Sequence, residues 1–264
     1  MKGPLPPAHF RVEPIPASGY SPRMQPPRRL HTLLAILGLI AGVASHAQTA
    51  PKTPVVEGTP TAESPDAQGW HHLFDGKTLS GWKTFDPGGW SINEEGHLVG
   101  KGSRSHLFSP KSYKNLEFKA DAKLNHKGNS GMYFRAKLMT GWPDGYESQV
   151  ENTSSDPQRT GSLYNRAKML DQLVADDTWW TQHIIAIGNR VIIKVNDKIV
   201  VDFIDEKRSF VEGHLALQQH DPGSVVQFRN VMAKALPDDE AAALAIAKTD
   251  MPDFGAEPLV KVRK

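Results

Sequence analysis

The sequence of 264 residues contains no cysteine. Disulfides, thiolate zinc sites and cysteine nucleophiles are therefore excluded. No compact metal-binding motif such as His-Glu-x-x-His occurs, so the sequence requires no cofactor. A divalent metal would have Glu147, Glu151, His220 and Asp221 as candidate ligands. The formal net charge is only +2 and the basic residues are scattered, which gives no support for nucleic-acid binding.

Long hydrophobic runs are also scarce. One apolar run extends from Leu30 to Val43, after a basic pair and before the small-residue segment Ser45-His46-Ala47. This order is typical of a secretory signal peptide, and the run is short for a membrane span of about 20 residues. A single N-terminal anchor is the alternative. We expect residues 1–47 to be an N-terminal extension with a signal peptide, Met24 being an alternative start. The protein is then exported, to the periplasm or beyond, with no membrane association after signal removal.

The remaining chain divides by composition into three parts. Residues 48–67 are rich in Pro and Thr and are predicted to be a disordered linker. Residues 68–236 form the predicted folded domain, which at about 170 residues is long enough to bury a core. Residues 237–264 are predicted to contain a short Ala-rich helix over 238–247 and a loose tail from Pro252.

The predicted domain consists of short strands with turn residues between them. The clearest segment is Gln182–Phe203, where Gly188-Asn189 and Asn196-Asp197 separate three β-branched runs. Such two-residue turns indicate consecutive hairpins. Further strands are predicted at 97–99, 116–124, 131–138, 146–152, 214–219 and 225–233. No long segment has a helical period, so the sequence predicts an all-β fold, a sandwich or jelly roll of two antiparallel sheets.

One predicted strand, 145–152, carries a row of polar residues. Because side chains alternate along a strand, Glu147, Gln149 and Glu151 share one face. Such a row is either solvent-exposed surface or part of a site. The row alone does not distinguish the two.

Two other strands repeat this pattern. In the segment 214–220, Gln218 and His220 share a face with Ala216, and in the segment 129–135, Tyr133 and Arg135 share a face with Gly131. Amides and carboxylates bind pairs of sugar hydroxyls, while aromatic rings contact the apolar faces of sugars. The polar rows therefore indicate a carbohydrate site. The aromatic residues available at its rim are Trp90, Trp142, Trp179, Trp180 and Tyr164.

An ordered set of motifs resembles the 3-keto-disaccharide hydrolase family, formerly a domain of unknown function in the concanavalin A-like lectin/glucanase superfamily. The set covers residues 70–235 and consists of Leu73-Phe74-Asp75-Gly76-Lys77-Thr78-Leu79-Ser80-Gly81-Trp82, Asn129-Ser130-Gly131 with Arg135, Gly145-Tyr146-Glu147 with Gln149, Thr160-Gly161-Ser162-Leu163-Tyr164, Leu217-Gln218-Gln219-His220 and Phe228-Arg229-Asn230-Val231. Each motif is weak alone, but their order is specific.

The resemblance implies a concanavalin-like jelly roll, secretion, and cleavage of glycosides already oxidised to a ketone at C3. The chain departs from the family pattern at Ser148, Thr181, Glu151, Ala216 and Asp221. Of these, Asp221 is the one that could alter a site residue, because it adjoins His220.

The chemistry of a 3-keto glycoside allows elimination at C1 after a base removes the C2 hydrogen, with water adding later for net hydrolysis. Glu147 and His220 are the expected base and acid, in either order. Arg135, Gln149 and Gln218 are expected to donate hydrogen bonds to the ketone and hydroxyls. The remaining expected substrate contacts are Asn129, Tyr164, Trp142 and Glu151.

Two other functions remain open from the sequence. Glu147-x-Gln149-x-Glu151 resembles the Glu-x-Asp-x-Glu strand of laminarinase-type enzymes, but Gln149 replaces the central Asp. In addition, Glu147 and Glu151 lie about 13 Å apart along an extended strand. A non-catalytic carbohydrate-binding jelly roll is the second alternative. Catalysis requires Glu147 and His220 to reach one cavity.

Overall fold

The computed structural model describes residues 64–260, which form twelve β-strands and one α-helix. The elements in chain order are β1 (His71–His72), β2 (Gly89–Ile92), β3 (Leu98–Lys101), β4 (Ser105–Tyr113), β5 (Leu116–Leu124), β6 (Asn129–Ala136), β7 (Tyr146–Glu151), β8 (Trp180–Ile187), β9 (Arg190–Val195), β10 (Lys198–Ile204), β11 (Gly213–Gln219), β12 (Val225–Ala235) and α1 (Glu240–Asp250).

The strands form two antiparallel sheets. One has the order β10-β9-β8-β5-β12-β3-β2, with β1 also paired to β12, and the other has the order β4-β11-β6-β7. Strands distant in sequence are neighbours in both sheets, as in a jelly roll. The predicted all-β jelly roll of two antiparallel sheets is confirmed.

The core lies between the two sheets because alternate residues of each strand are apolar and point inward. From the four-stranded sheet these include Leu107, Met132, Phe134, Val150 and Leu217. From the eight-stranded sheet they include Phe118, Ala120, Ile184, Ile193 and Phe228. The alternate positions of the four-stranded sheet are left on its outer face, where the polar rows predicted from the sequence lie.

The hairpin prediction is confirmed by β8, β9 and β10, which pair in sequence order. The turn between β9 and β10 has both Asn196 (φ 48°) and Asp197 (φ 65°) in the left-handed region. This is the backbone of the two-residue turn that matches strand twist, and Asn and Asp tolerate it well. Strands β1, β2 and β4 were not predicted, because β1 and β2 are very short and β4 contains Pro110, Lys111 and several Ser residues.

The segment after β12 is packed against the domain. The predicted helix is confirmed as α1, which begins after Asp239, whose side chain accepts a hydrogen bond from the backbone of Ala242. Its residues Ala243 and Ala247 join a buried cluster on the eight-stranded sheet. That cluster also contains Ile185, Ile187, Ile192, Ile199, Leu236 and Met251.

The prediction of a loose tail is wrong for residues 252–260. Phe254 packs against the same buried cluster. The backbone N–H groups of Leu259 and Val260 donate hydrogen bonds to the carbonyls of Ile199 and Val200 in β10. This part of the tail is therefore attached to the eight-stranded sheet.

The N-terminal predictions fall mostly outside the described residues. The extension and signal peptide in 1–47 and the linker up to residue 63 are not covered. Asp66, near the end of the predicted linker, is bonded to Trp70 in a turn. The backbone N–H of Asp66 donates to the carbonyl of Trp70, and the backbone N–H of Trp70 donates to the Asp66 side chain. Over residues 64–260, no helix has the length and apolar character needed to cross a membrane.

Candidate functional site

The polar residues of the outer face lie side by side on neighbouring strands of the four-stranded sheet. His106 of β4 is opposite Gln218 of β11, and β11 in turn pairs with β6. On the far side of β6, Gly131 is opposite Gln149 and Tyr133 is opposite Glu147. The polar residues predicted from alternation in separate strands therefore lie on one surface.

A cavity of about 690 Å³ opens on this surface. Seven of the nine predicted site residues line it: Asn129, Trp142, Glu147, Gln149, Tyr164, Gln218 and His220. Glu147 and His220 reach the same cavity, which is the geometric condition for the predicted catalytic pair. Arg135 and Glu151 do not line it.

Glu147 is held at the floor of the cavity by two donors. The Tyr133 hydroxyl donates to Oε2 at 2.9 Å, and the Gln218 amide donates to Oε1 at 3.2 Å. Burial raises the pKa of Glu147 to about 8, against the effect of these two hydrogen bonds, which lower it. The carboxyl group is therefore a much stronger base than an exposed glutamate and keeps its proton to higher pH.

Gly131 gives the Glu147 side chain its position. A Cβ atom at Gly131 would lie 2.1 Å from Glu147 Oε1, so only a glycine leaves room for the carboxyl group there. Because Gly131 lies on the strand between Glu147 and Gln218, Glu147 extends over it to reach Gln218. The Asn129-Ser130-Gly131 motif therefore has a direct steric role.

His220 lies at the edge of the cavity and is oriented by its neighbour in sequence. Its Nδ1 is 2.8 Å from Asp221 Oδ2, and its ring lies 5.1 Å from the Trp142 ring. Burial alone would raise the pKa of Asp221, but hydrogen bonds from His220, Gly223 and Ser224 lower it below the usual value. The Asp221 carboxylate therefore fixes the His220 ring through Nδ1 and leaves Nε2 for a ligand.

Three amide oxygens at the cavity have no hydrogen-bond partner among the described residues. They belong to Asn129, Gln149 and Gln218, all of which are buried. A buried acceptor without a partner is costly, and a ligand hydroxyl or water satisfies it. The cavity thus presents a set of acceptors suited to a molecule with several hydroxyl groups.

Two of the five candidate rim aromatics are at the cavity. Trp142, with half of its surface exposed, and Tyr164 line it. Trp180 is buried in the core, Trp179 packs against His97, and the Trp90 indole donates to Ser105. These three tryptophans are therefore structural, which corrects the expectation that they were available to a sugar.

Arg135 is separated from the site by a local change in backbone. It has a φ of 50°, and the pairing of β6 with β11 shifts register between His214 and Ala216. This bulge interrupts the alternation, so the Arg135 side chain does not follow Tyr133. It is buried and donates to the carbonyls of Lys114, Gly188 and Phe210. The expectation that Arg135 donates to the substrate is corrected accordingly.

Glu151 supports a loop instead of the cavity. Its carboxylate pairs with Arg159 at 2.5 Å and accepts a hydrogen bond from the backbone of Ser154. Arg159 also donates to the carbonyls of Ser154 and Asp156. The loop 152–160 is therefore held by this ion pair. This corrects the expectation that Glu151 contacts the substrate.

Sequence reasoning missed three residues at or beside the site. Tyr133 was placed on the correct face but given no role, although its hydroxyl bonds both Glu147 and Gln218. Asp156, from the loop after β7, lines the cavity. His106 lies 5.2 Å from the Tyr133 ring, and burial, with the Arg104 charge, lowers its pKa to about 3. No sequence signal marked His106, because its strand was not predicted.

A second cavity of about 880 Å³ adjoins the first. The two share Asn129, Asp156, Tyr164 and His220. The second cavity is otherwise lined by Lys127, residues 153–155, Pro157, Gln158 and Asp221. His220 therefore lies between the two cavities, whereas Glu147 faces the first one alone.

The candidate metal ligands are not assembled. Within residues 64–260, no three His, Asp or Glu side chains lie close enough together to hold a metal ion. Of the four candidate ligands, Glu151 is paired with Arg159, and His220 is bonded to Asp221. Glu147 is bonded to Tyr133 and Gln218 instead.

Comparison with known proteins identifies the family. A family model described as a 3-keto-α-glucoside-1,2-lyase-like domain matches residues 69–234. A 3-keto-disaccharide hydrolase of Bacteroides thetaiotaomicron is 32% identical over 88 residues, which cover 28% of this chain and 30% of that protein. The aligned part thus spans less than a third of that relative.

Two solved structures from Parabacteroides distasonis ATCC 8503, both assigned as candidate glycosyl hydrolases, share the fold. One is 25% identical with a TM-score of 0.57, covering 65% of this chain and 95% of that chain. The other is 22% identical with a TM-score of 0.54, covering 63% and 99%. The family predicted from the motifs is confirmed, and the chain belongs to the 3-keto-α-glucoside-1,2-lyase-like domain family.

Proposed function

We propose that the domain cleaves the C1 glycosidic bond of a sugar already oxidised to a ketone at C3. The observation that carries the proposal is that the Glu147 carboxyl group, with a pKa raised to about 8, faces the same cavity as His220. A carboxylate made more basic by burial is suited to removing a hydrogen next to a ketone. The family of the domain points to the same class of substrate.

In this proposal Glu147 is the base. It takes the proton from C2, and the electrons of that C–H bond form the double bond of an enolate with its charge on the C3 oxygen. When the ketone re-forms, a C1–C2 double bond is made and the bond from C1 to the leaving oxygen breaks. Tyr133 and Gln218 bond the Glu147 carboxylate and fix its position.

His220 is the acid that protonates the leaving oxygen. Its position between the two cavities suits this role, because the leaving group must extend away from the ring whose C2 faces Glu147. For net hydrolysis, water adds to C1 and gives a proton to His220, while Glu147 returns its proton to C2. These steps return both residues to their starting protonation states. If the unsaturated sugar is released before water adds, the reaction ends as an elimination.

The amides of Asn129 and Gln149 are assigned to the substrate's polar atoms. Their unpartnered oxygens accept from sugar hydroxyls, and their amide nitrogens can donate to the C3 oxygen. Donors directed at an oxygen that gains charge stabilise the enolate more than the ketone. Trp142 and Tyr164 supply aromatic surface at the rim.

Export remains part of the proposal. It is supported by the basic pair, apolar run and small-residue segment within residues 24–47. N-terminal sequencing of the protein purified from its native cells tests it. A mature chain beginning near residue 48 is the expected result, and an intact N-terminus contradicts it.

The proposal is tested by incubating the purified protein with 3-keto-trehalose and 3-keto-glucosides, with and without a chelator. We expect release of the leaving group from these substrates and no cleavage of an unoxidised β-glucan. His220→Ala should reduce kcat by about 10² to 10⁴-fold on substrates with a poor leaving group. Cleavage of the β-glucan would favour a laminarinase-like enzyme. Binding without turnover would favour a non-catalytic module.

Gly131→Ala offers a steric test of the same site. The new Cβ would displace the Glu147 carboxyl group from Gln218, and displacement of a catalytic group by about 1 Å can cost roughly 100-fold in rate. We expect a comparable fall in kcat, with the unfolding free energy lowered by about 1 to 3 kcal/mol, the usual cost of an extra methyl group in a packed site. Wild-type kcat in a folded Gly131→Ala protein would contradict the placement of Glu147.

A further inference from the structure

His220 needs support beyond its own segment of chain. It lies one residue beyond the end of β11, so strand pairing does not hold it. Its side chain is 33% exposed, and that of Asp221, its hydrogen-bonded neighbour, is 44% exposed. A group that transfers a proton has to be held within about 0.5 Å of its working position. The second contact of the His220 ring is with the Trp142 ring, 5.1 Å away.

Trp142 is itself held from outside its segment. It is half exposed and lies on the connection between β6 and β7. The guanidinium carbon of Arg104 lies 5.1 Å from the centre of its ring, within the range of a cation–π contact. The backbone N–H of the preceding residue, Gly141, donates to both carboxylate oxygens of Asp86, each at 3.2 Å. Two contacts therefore fix Trp142 from one side.

Asp86 joins these two contacts. It is 6% exposed, and its Oδ1 lies 3.9 Å from Arg104 Nη2. A buried carboxylate is costly unless donors and positive charge surround it, and here Gly141 and Arg104 provide them. One side chain thus fixes both the backbone next to Trp142 and the cation that lies on the Trp142 ring.

The segment that carries Asp86 is attached to the edge of the four-stranded sheet. Lys83 and Phe108 of β4 exchange two backbone hydrogen bonds, at 3.0 and 2.7 Å. Arg104 directly precedes β4. Asp86 and Arg104 therefore lie on one rigid base, and Trp142 is held against it.

We propose that Asp86 is a positioning residue for His220. It holds Trp142 against the His220 ring, with the help of Arg104, and so keeps His220 Nε2 directed at the leaving oxygen. The inference rests on the proposed function, in which His220 protonates that oxygen. Asp86 and Arg104 do not line the first cavity, so they act through Trp142 without touching the substrate.

The test compares two 3-keto-α-glucosides whose leaving groups are methanol and 4-nitrophenol. Methoxide needs a proton to leave, whereas 4-nitrophenolate is a stable anion. Asp86→Ala should therefore lower kcat on the methyl substrate by about 10- to 100-fold, the scale of a displacement of about 1 Å, and leave kcat on the nitrophenyl substrate nearly unchanged. Both substrates are measured on one preparation, so a smaller folded fraction lowers both values equally and does not change their ratio.

The His220→Ala protein provides the second measurement. Because Asp86 acts through His220, adding Asp86→Ala to His220→Ala should cause no further fall in kcat on the methyl substrate. In the wild-type background, Asp86→Asn should restore most of the activity that Asp86→Ala loses, since the amide oxygen still accepts from the Gly141 N–H. An Asp86→Asn protein no better than Asp86→Ala would contradict this route.

Asp121→Ala is the matched control. Asp121 is a partly buried carboxylate of the eight-stranded sheet, bonded to Thr181 and Arg229. Its removal should leave the ratio of the two kcat values as in the wild type. If Asp86→Ala lowers kcat equally on both substrates, or by the same factor with and without His220, the inference is overturned and the proposed function stands. Absence of wild-type turnover on both substrates would overturn the proposed function, and the inference with it.

Discussion

Replacing Glu147 with glutamine (E147Q) is expected to lower kcat on a 3-keto glucoside by about 10² to 10⁴-fold, the usual contribution of a positioned base. Glutamine keeps the size of the side chain and can still bond Tyr133 and Gln218, so the cavity should keep its shape. What is lost is the group that takes the C2 proton. Steady-state kinetics with purified E147Q measures the effect.

The pH dependence of kcat/KM separates the two orders of base and acid. A base must be ionised, and the pKa of Glu147 is raised to about 8. Below that pH, kcat/KM should therefore rise about tenfold per pH unit in the wild type, and E147Q should lack this dependence. If activity instead falls as pH rises through about 8, Glu147 is the acid and His220 the base.

Two further measurements keep this test interpretable. The Tyr133 hydrogen bond lowers the pKa of Glu147, so Tyr133→Phe should move the rising limb of the kcat/KM profile to higher pH.

Because the folded state raises the Glu147 pKa from 4.5 to about 8, this residue's contribution to stability declines as pH rises between those values. At pH 8, E147Q should therefore be at least as resistant to denaturant as the wild type, which excludes misfolding as the cause of lost activity.

Replacing Arg159 with methionine is expected to destabilise the domain by about 3 kcal/mol, because it leaves the buried Glu151 carboxylate without its cation. The carbonyls of Ser154 and Asp156 also lose a donor. For a domain of this size, such a loss lowers the melting temperature by roughly 10 °C. Denaturant and thermal unfolding provide the measurement.

The matched control is the double variant in which Glu151→Gln accompanies Arg159→Met. With the charge removed, part of the stability should return, since an unpaired buried carboxylate is the main cost. A single variant as stable as the wild type, or a double variant no better than the single one, would show that the ion pair does not hold the loop. Either result would return Glu151 to consideration as a substrate contact.

The fold and the location of the site could be predicted because both depend on strand periodicity. The β-branched runs and the two short turns predicted the two consecutive hairpins of β8, β9 and β10, and alternation predicted that Glu147, Gln149, Gln218 and His220 share one face. These strands are regular over the residues concerned, so the period of two holds.

The incorrect or missing predictions concern residues whose position depends on a backbone irregularity or on a contact with a distant segment. Arg135 adopts a left-handed backbone at a bulge, which no periodicity reveals, and its guanidinium therefore bonds carbonyls elsewhere. Glu151 lies on the expected face of its strand, but Arg159, eight residues later, binds its carboxylate. His106 belongs to a strand whose serines, proline and lysine resemble a loop. Such contacts depend on where distant segments meet, which local sequence does not specify.

The attachment of residues 259 and 260 to β10 has a consequence for how the protein behaves in concentrated solution. Strand β10 is at the end of the eight-stranded sheet, and its free carbonyls could pair with a strand of another molecule. The N–H groups of Leu259 and Val260 occupy two of these carbonyls, at Ile199 and Val200. In a protein without disulfides, the C-terminal segment thus discourages edge-to-edge aggregation.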